Sequence, residues 1–431
     1  MDISELFKFN EWWETKKVNE SHIKTYKRYL YLKLLKFLPD RQMILITGLR
    51  RTGKTVLLYQ LIQHLLDAGV SPRKILYFSF DEENFDIKEV VEAYKINVLR
   101  EEFNQVDKIY LFFDEVQKVE DWENKIKVYY DLYPNLKIFL SGSASLTLSR
   151  KSKESLAGRI YDFNLMPLTF KEFLEMKRVR VTFEDARLLN QKISLYFSDF
   201  MRKSGFPEII DEIDDEKIKS YIKISVIERI IYRDIPKEFG KVDIGLLETL
   251  INLLFSNPGL VLNIKSLSQD LRRNKRTIMN YIKYLESSLL INTVKNFRPS
   301  VLASSRKNRK IYPKTSSLVF SLVDKFEGNI LGKVLETMFC TEVSPKYYFR
   351  KNKKEIDFLL LKEKEMIPIE IKQKVSGTDM KKFISIIKKL NLKKGIILTL
   401  DCFGVYEEDV KILIYPVWVF FLFKERILKN L

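Results

Sequence analysis

A glycine-rich turn between an apolar run and a helical pattern constrains the fold of this chain more than any other feature. The run Met43–Thr47 leads into Gly48, and the pattern G-x-x-x-x-G-K-T closes with Gly53, Lys54 and Thr55. Glycine lets the backbone take turn conformations that a Cβ forbids, so that N–H groups point inward around a phosphate. The positive end of the following helix adds to this attraction. With a strand before it and a helix after it, the pattern predicts a phosphate-binding loop rather than a chance turn.

This loop predicts a nucleoside triphosphate and Mg²⁺ as cofactors. Lys54 would reach the β and γ phosphates, and the hydroxyl of Thr55 would be a ligand of Mg²⁺. The predicted nucleotide-binding residues are those of the loop and of the first turn of its helix: Gly48, Leu49, Arg50, Arg51, Thr52, Gly53, Lys54, Thr55 and Val56.

Two carboxylates at the end of a later strand complete the predicted site. The apolar run Ile109–Phe113 is followed directly by Asp114 and Glu115. Asp114 is predicted to hold the hydration shell of Mg²⁺, and Glu115 to orient and deprotonate the attacking water. An ordinary acidic strand end is the alternative, and the upstream loop makes it the weaker interpretation.

The next strand, Lys137–Leu140, ends in a polar turn that offers a γ-phosphate sensor. Ser141 and Ser143 are both candidates for this role, although Ser-Gly-Ser is also simple turn chemistry. A fifth strand, Ile160–Leu165, follows Arg159, which would supply positive charge to a nucleotide across a subunit boundary if subunits lie side by side. A surface arginine at a turn is an equally good interpretation. Strands that alternate with helices in this order predict an α/β fold with a parallel sheet flanked by helices.

Composition narrows the class of protein and of partner. The chain has 431 residues, enough for three or four domains, and carries a formal charge of +18, with 75 Lys and Arg against 57 Asp and Glu. This excess suggests a polyanionic partner, although lysine-rich surfaces also occur in thermophile proteins. Two cysteines and two histidines exclude a Cys/His zinc site and a disulfide framework, which favours a cytoplasmic location.

The most apolar segment, Ile412–Phe423, predicts a buried strand pair or a packing tail. It is far shorter than the roughly 20 residues that a spanning helix needs, and Pro416 interrupts it. The amino-terminal residues have no signal-peptide pattern. We therefore expect no contact with a membrane.

Three helical patterns in the middle of the chain predict a winged helix. They cover Gly245–Ser256, Ile264–Leu271 and Lys275–Leu289, and Ile291–Phe297 would be the strand of a wing. Four basic residues surround the start of the third helix, where base and phosphate contacts are made: Arg272, Arg273, Lys275 and Arg276. Their position predicts a nucleic-acid partner, DNA more than RNA. The alternative is a protein-interaction module with a basic surface.

A carboxylate–lysine pattern follows in the last third of the chain. Asp357 lies in the strand Ile356–Leu361, and Glu370 and Lys372 lie two positions apart in Ile367–Lys372. The two strands predict a hairpin that brings Asp357 close to Glu370, an arrangement suited to Mg²⁺. Lys372, on the same face as Glu370, would position or activate a water.

The stretches GLRRTGKT, LFFDEVQKVEDWE, LSGSAS, LAGRIYDFNLMPLTFKEFL and SGFPE resemble a prokaryotic and archaeal AAA-type ATPase family. The resemblance implies ATP as the nucleotide, a five-stranded AAA-like core and a helical lid. The order Glu…Asp…Glu-x-Lys resembles the PD-(D/E)XK nuclease core, whose families cut phosphodiesters with Mg²⁺. This second resemblance adds Glu336 to the predicted metal ligands Asp357 and Glu370. One departure is Ile356 in the place of a proline, and many descendants of this core have lost activity.

These observations predict four domains and one leading function. The domains are an AAA-like P-loop ATPase core (1–168), a helical lid (169–237), a winged-helix-like domain (238–300) and a nuclease-like α/β domain (301–431). The expected function is Mg²⁺-dependent ATP hydrolysis coupled to action on nucleic acid, with cleavage of phosphodiesters in the last domain. A homo-oligomer through the ATPase domain is expected if Arg159 acts across subunits. The alternative is an ATP-gated protein-interaction switch whose nuclease-like domain is inactive.

Overall fold

The computed structural model describes residues 1–81, 85–143, 154–298, 308–352, 354–362 and 365–431. The chain divides into two compact units, Met1–Met166 and Pro167–Leu431. Each unit has its own sheet and its own buried core.

The first unit is built on a five-stranded sheet in the order β2-β3-β4-β1-β5, and every pair in it is parallel. Its strands are β1 Met43–Gly48, β2 Ile75–Ser79, β3 Ile109–Asp114, β4 Leu136–Gly142 and β5 Ile160–Leu165. The predicted parallel sheet is confirmed. The strands are apolar along nearly their whole length because helices cover a parallel sheet on both faces.

In the described part of the first unit, the helices beside this sheet are α1 Ile3–Phe9, α2 Trp12–Thr15, α3 Tyr29–Leu35, α4 Lys54–Asp67, α5 Ile87–Tyr94 and α6 Trp122–Leu132. Short 3₁₀ turns lie at Pro72–Lys74, Phe103–Gln105 and Val116–Lys118, and a π turn at Lys95–Leu99 continues α5. Apolar residues at helical spacing over Ser21–Asp40 predict a helix there, and the structure confines it to α3. The side chain of Gln60 donates hydrogen bonds to the carbonyl oxygens of Lys24 and Tyr26, which holds the backbone before α3 out of helical geometry.

The second unit begins with helices where a helical lid was predicted. They are α7 Phe170–Met176, α8 Asn190–Lys203, α9 Asp215–Tyr221 and α10 Ile235–Phe239, with 3₁₀ turns at Glu184–Ala186 and Pro207–Ile209. Two π segments, Ile222–Glu228 and Ile230–Asp234, join α9 to α10. The helical character of this part is confirmed, and its role as a lid stays a prediction.

The next elements follow the order expected for the winged-helix-like part. They are α11 Ile244–Ser256, β6 Leu260–Val261, α12 Ile264–Asp270, α13 Lys275–Ser287, β7 Ile291–Asn296 and β8 Lys310–Pro313. Side chains of Asp243, Asn263 and Asn274 cap the three helices by accepting hydrogen bonds from first-turn N–H groups. The boundary predicted between residues 300 and 301 lies outside the described residues.

A nine-stranded sheet, in the order β13-β14-β12-β11-β10-β9-β7-β8-β6, runs through the second unit. Its remaining strands are β9 Tyr347–Lys351, β10 Lys354–Lys362, β11 Glu365–Ile371, β12 Lys394–Thr399, β13 Gly404–Glu407 and β14 Lys411–Pro416. The remaining helices are α14 Ser316–Phe320, α15 Gly328–Val343, α16 Gly377–Lys389 and α17 Val417–Asn430. β10 and β11 form the predicted antiparallel hairpin. A short parallel pairing of β7 with β9 joins the winged-helix-like strands to this hairpin.

Of the two alternatives for Ile412–Phe423, a strand pair or a packing tail, the strand pair is wrong in its second half. β14 ends at Pro416, and α17 begins at the next residue. A proline has a fixed φ and no N–H to lose, so it is suited to the position before a helix. Trp418 is fully buried, and its indole N–H donates to Asn190 at 3.1 Å. In the described part of the chain, no helix is long and apolar enough to cross a membrane.

Candidate nucleotide site and carboxylate cluster

The predicted phosphate loop connects the carboxyl end of β1 to the amino end of α4. Gly53 has a φ of +98° and Arg51 a φ of +65°, so two residues of the loop are left-handed. A Cβ on Gly48 would lie 2.6 Å from the carbonyl oxygen of Leu165 on β5. Glycine is therefore required at position 48 by a close backbone approach and favoured at position 53 by the turn itself.

The ammonium group of Lys54 lies folded over this loop. Its Nζ donates to the carbonyl oxygens of Gly48 at 3.2 Å and Leu49 at 3.3 Å. The hydroxyl of Thr52 donates to the same Leu49 carbonyl at 2.7 Å, which closes the turn. Lys54 is buried, yet its partners are neutral carbonyls, so phosphate oxygens would be stronger acceptors for the same ammonium.

Asp114 is the centre of a buried hydrogen-bond network at the end of β3. Its carboxylate accepts hydrogen bonds from Thr55 Oγ1 at 2.6 Å, from the hydroxyl of Tyr77 at 3.1 Å and from the hydroxyl of Ser141. Burial raises the pKa of Asp114, and the adjacent charge of Glu115 raises it further. A divalent cation would offset both effects. The hydroxyl and carboxylate oxygens of Thr55 and Asp114 are the hard donors that suit Mg²⁺, so the residues present fit this ion.

Glu115 stands directly beyond the strand in a left-handed conformation, with a φ of +55°. This conformation is uncommon for a residue with a long side chain, and such positions cluster at functional sites. The side-chain amide of Gln117 donates to Glu115 Oε2 at 2.5 Å. Gln117 therefore holds the carboxylate that was predicted to act on water.

The two predicted sensor serines differ in their surroundings. Ser141 is fully buried within β4 and touches Asp114, so the structure places it in the site. Ser143 follows the end of β4 and is half-buried.

Arg159 lies at the amino end of β1, whereas the phosphate loop of the same chain follows the carboxyl end of that strand. Its carbonyl oxygen accepts from the N–H of Met43, the first residue of β1, and the loop begins about 16 Å away at the other end of that strand. Its guanidinium contacts Asp131 through two hydrogen bonds, of 2.9 and 3.2 Å. Action on a nucleotide of a neighbouring subunit stays a prediction.

Two further groups around the loop were not predicted. Arg28, only 7% exposed, donates to the carbonyl of Thr52 at 2.9 Å and to the carbonyl of Met166 at 2.8 Å. Asp81, just beyond β2, pairs with Arg50 of the loop and with Lys118 after β3. No local sequence pattern marks these residues, because their partners lie in distant segments.

The four basic residues predicted to bind nucleic acid surround the start of α13. Arg272, Arg273, Lys275 and Arg276 are all exposed. Arg273 forms an ion pair of 2.6 Å with Asp243, the cap of α11. These side chains are therefore accessible from solvent, and their contact with nucleic acid stays a prediction.

The structure also brings the four predicted residues of the C-terminal site together. Glu336 projects from α15, Asp357 from β10 and Glu370 from the end of β11, with Lys372 just after it. Asp357 Oδ2 accepts from the N–H of Ile371 at 2.9 Å, which fixes the carboxylate against β11. Lys372 Nζ lies 2.8 Å from Glu370 Oε1.

An unpredicted lysine lies among these carboxylates. Lys310 on β8 is 1% exposed, and its Nζ is 2.6 Å from Glu355, 3.6 Å from Asp357 and 3.9 Å from Glu336. β9 and β7 lie between β10 and β8 in the sheet, so Lys310 reaches the carboxylates of β10 across two intervening strands. Burial alone would lower the pKa of Lys310, but the three carboxylates outweigh it and hold that pKa above its usual value.

The carboxylates next to Lys310 do not accept a divalent cation easily. Among the described residues, no group of three or more His, Cys, Asp or Glu has the arrangement of a metal site. A dication about 4 Å from the ammonium would be repelled by roughly 8 kcal/mol at an effective dielectric constant of about 20. The residues as arranged therefore do not fit Mg²⁺.

Protonation of the carboxylates is also favoured by their burial. Burial and the charge of Asp357 raise the pKa of Glu336, and the same two causes raise the pKa of Glu370 to about 8. The hydroxyl of Tyr312 donates to Glu336 Oε2 at 2.7 Å, and Lys333 pairs with Oε1 at 2.7 Å. Every predicted metal ligand in this cluster already has a protein partner.

Three family models match this chain. One, described as an AAA domain, covers residues 40–174, and two, described as domains of unknown function (DUF8612 and DUF4143), cover residues 195–327 and 324–418. The first match agrees with the parallel sheet and the phosphate loop. The first unit is therefore similar to an AAA domain in its sheet and its phosphate loop.

Relatives of similar length occur in archaea and bacteria. An uncharacterised protein of Methanocaldococcus jannaschii is 29% identical over 383 residues, which are 83% of this chain and 81% of the relative. One of Haemophilus influenzae is 28% identical over 355 residues, 79% of this chain and 85% of the relative.

Among solved structures, the Aeropyrum pernix ORC1 protein in complex with DNA is 13% identical, with a TM-score of 0.32, over 68% of this chain and 91% of that chain. Cdc6p from Pyrobaculum aerophilum is 13% identical, with a TM-score of 0.28, over 74% and 99%. Similarity this low supports no functional conclusion.

Proposed function

We propose that this protein binds and hydrolyses ATP and that it acts on nucleic acid, DNA in preference to RNA. The hydrogen bond between Thr55 and Asp114 is the observation that best supports binding and hydrolysis of ATP. It joins the phosphate loop to the end of β3 and gathers two Mg²⁺-type oxygen donors at the position where a triphosphate would end. Bound Mg²⁺ would neutralise charge on the phosphates.

The remaining steps belong to residues of this chain. Lys54 exchanges its two carbonyl partners for the β and γ phosphates, which costs little because those partners are neutral. Glu115 orients a water molecule towards the γ-phosphate, and the amide of Gln117, bonded to Oε2, holds the carboxylate in place. Ser141, bonded to Asp114, is placed to respond when that phosphate is lost.

The nucleic-acid half rests on the position of exposed basic side chains. Arg272, Lys275 and Arg276 are exposed around the first turn of α13, where the helix dipole also favours phosphate. The net charge of +18 gives the whole chain a long-range attraction for a polyanion.

The proposal is tested by ATP turnover with and without duplex DNA at low salt and at ~200 mM salt. We expect DNA to stimulate turnover and the stimulation to fall with salt, because phosphate contacts release counterions. Lys54→Ala should abolish nucleotide binding or hydrolysis, and Glu115→Gln should retain binding while hydrolysis slows strongly. Near-normal turnover in Lys54→Ala would refute the ATPase assignment.

Two double variants, each of which removes two positive charges, test where nucleic acid binds. Arg272→Gln with Arg276→Gln should weaken DNA binding and reduce the slope of log affinity against log salt by about 0.9 for each phosphate that the protein no longer neutralises. Lys381→Gln with Lys389→Gln removes the same charge from α16 and should leave that slope nearly unchanged. If both double variants change the salt slope equally, the attraction to DNA is diffuse, and the proposal that DNA binds at the start of α13 is rejected.

A second candidate is the ATP-gated interaction switch, in which the C-terminal domain cuts nothing. The ion pairs of Lys310 favour it over phosphodiester cleavage, since Glu336 and Asp357 face an ammonium group. Turnover that is indifferent to DNA, with no metal-dependent cleavage, would support this switch.

A further inference from the structure

We propose that the ammonium group of Lys310 is the resident cation of the C-terminal carboxylate cluster, so that this cluster binds a divalent metal only after Lys310 is removed. The cluster consists of Glu336, Glu355 and Asp357, the three carboxylates within 4 Å of Lys310 Nζ. The proposal concerns the second unit alone and does not depend on ATP hydrolysis.

The position of Lys310 is fixed by the fold rather than by a flexible side chain. β8 pairs with β7 on one side and with β6 on the other, and Lys310 has a partner on each, Val294 and Val261. Its side chain is 1% exposed and lies over the ring of Tyr348, with Nζ 5.2 Å from the ring centroid. An ammonium held in this way has no solvent-exposed position to retreat to without disturbing the sheet.

A neighbouring side chain reinforces this arrangement. Tyr312, two residues along β8 and therefore on the same face, is fully buried and donates to Glu336 at 2.7 Å. One strand thus supplies both a positive charge and a hydroxyl to the carboxylates of α15 and β10. Asp114 accepts from neutral hydroxyl partners, whereas these carboxylates face an ammonium group whose charge opposes the entry of a dication.

Lys310 is buried whereas two lysines near the cluster are partly exposed to solvent, and one of these two provides the control variant. Lys333 touches Glu336 at 2.7 Å, but its side chain is 42% exposed and can swing into solvent. Lys372, at 2.8 Å from Glu370, is 33% exposed. Only Lys310, among the described lysines of this cluster, contacts three carboxylates from a buried position.

The test counts the Mn²⁺ ions bound to the full chain in the absence of nucleotide. The electron paramagnetic resonance signal of free Mn²⁺ gives this count. All variants carry Thr55→Val, which removes the hydroxyl ligand of the phosphate loop. The parent protein and its Asp357→Asn variant should bind equally little. Lys310→Met should gain about one ion per chain, and Lys310→Met with Asp357→Asn should lose it. Lys333→Met should behave as the parent.

A second readout is thermal stability. Lys310→Met leaves carboxylates without their cation, so Mn²⁺ should raise its melting temperature by roughly 5 °C or more, with no such shift in the parent. Two results would overturn the proposal. One is that the parent binds Mn²⁺ and that Asp357→Asn abolishes this binding. The other is that the Lys310→Met variant folds but gains no ion. If Lys310→Met does not fold, the comparison of the parent with Asp357→Asn still decides.

Discussion

The hydroxyl of Thr55, in the first turn of α4, donates a hydrogen bond of 2.6 Å to the carboxylate of Asp114, at the last position of β3. Asp114 receives two more hydroxyl donors, from Tyr77 and Ser141. The bond therefore belongs to a network that orders both halves of the proposed metal site before any nucleotide arrives. Such preorganisation reduces the free-energy cost of assembling the site on binding.

Thr55→Val should separate the chemical role of this hydroxyl from its structural role. Valine keeps the β-branched shape but removes the hydroxyl that would be a ligand of Mg²⁺. We therefore expect ATP turnover to fall about 100-fold or more. The free energy of unfolding should change by only about 1 kcal/mol, because Asp114 keeps its other donors. Phosphate release and thermal melting measure the two effects. Thr55→Ser should recover most of the turnover, and a Thr55→Val enzyme of normal rate would contradict the assignment.

Gly48→Ala should disable the phosphate loop through a backbone clash. Its Cβ would meet the carbonyl oxygen of Leu165 at 2.6 Å, so the loop or β5 has to shift. We expect nucleotide affinity to fall at least about 10-fold, because the inward N–H groups lose their alignment. The matched control is Gly69→Ala, whose φ is +84° but whose Cβ would meet no atom within 4 Å. Titration with a fluorescent ATP analogue should distinguish them, and equal losses would argue against the clash.

Arg28→Met should loosen the phosphate loop from outside it. The guanidinium bonds the carbonyls of Thr52 and Met166, and methionine retains the length but not the donors. We expect several-fold weaker ATP binding and a loss of stability of about 1–3 kcal/mol, since two buried carbonyls lose their charged donor. Arg41→Met, which removes a similar bond to the carbonyl of Tyr130, should affect stability modestly and ATP binding little.

Glu370, beside the carboxylate cluster, should make the stability of the fold depend on pH. The pKa of Glu370 is raised to about 8 by burial and by Asp357, so the folded state holds a proton that the unfolded state releases above about pH 4.5. Stability from this group is therefore present at low pH and is lost as pH rises towards 8, with a slope of at most about 1.4 kcal/mol per pH unit. Chemical denaturation from pH 5 to 8 measures that slope.

Glu370→Gln should flatten this dependence, because its side chain no longer titrates. Glu365→Gln, an exposed position on the same strand, should keep the parental slope. If Glu370→Gln and the parent lose stability equally between pH 5 and 8, the titration belongs to another group. Glu336, whose pKa is also raised, would be the next residue to substitute.

Features that depend on neighbouring positions in sequence were predictable, and those that depend on distant segments were not. The phosphate loop, its helix and the carboxylates after β3 each follow from residues within one short stretch. Arg28 is recognised only in the folded chain, since its partners Thr52 and Met166 lie in other segments. Gln117 is only two residues from Glu115, but no motif marks the hydrogen bond that it donates there. Pro416 interrupts the apolar segment in the sequence, and in the structure it separates a strand from a helix.

The C-terminal site shows the same division. The order of Glu336, Asp357 and Glu370 predicted a cluster, and the hairpin of β10 and β11 was expected from the short turn between them. No sequence pattern distinguishes Lys310 from the other basic residues near it. Its place among the carboxylates depends on a sheet in which β8 and β10 are separated by two other strands.

The pairing of β7 with β9 has a mechanical consequence. The side chain of Asn296 on β7 both donates to the carbonyl of Arg350 and accepts from its N–H, at 3.1 Å each, beside the two backbone pairs of these strands. A pull on α13, which leads directly into β7, would be resisted there in shear by several bonds acting together rather than opened one at a time. Tension applied to the basic surface would thus be transmitted into the sheet that holds Lys310.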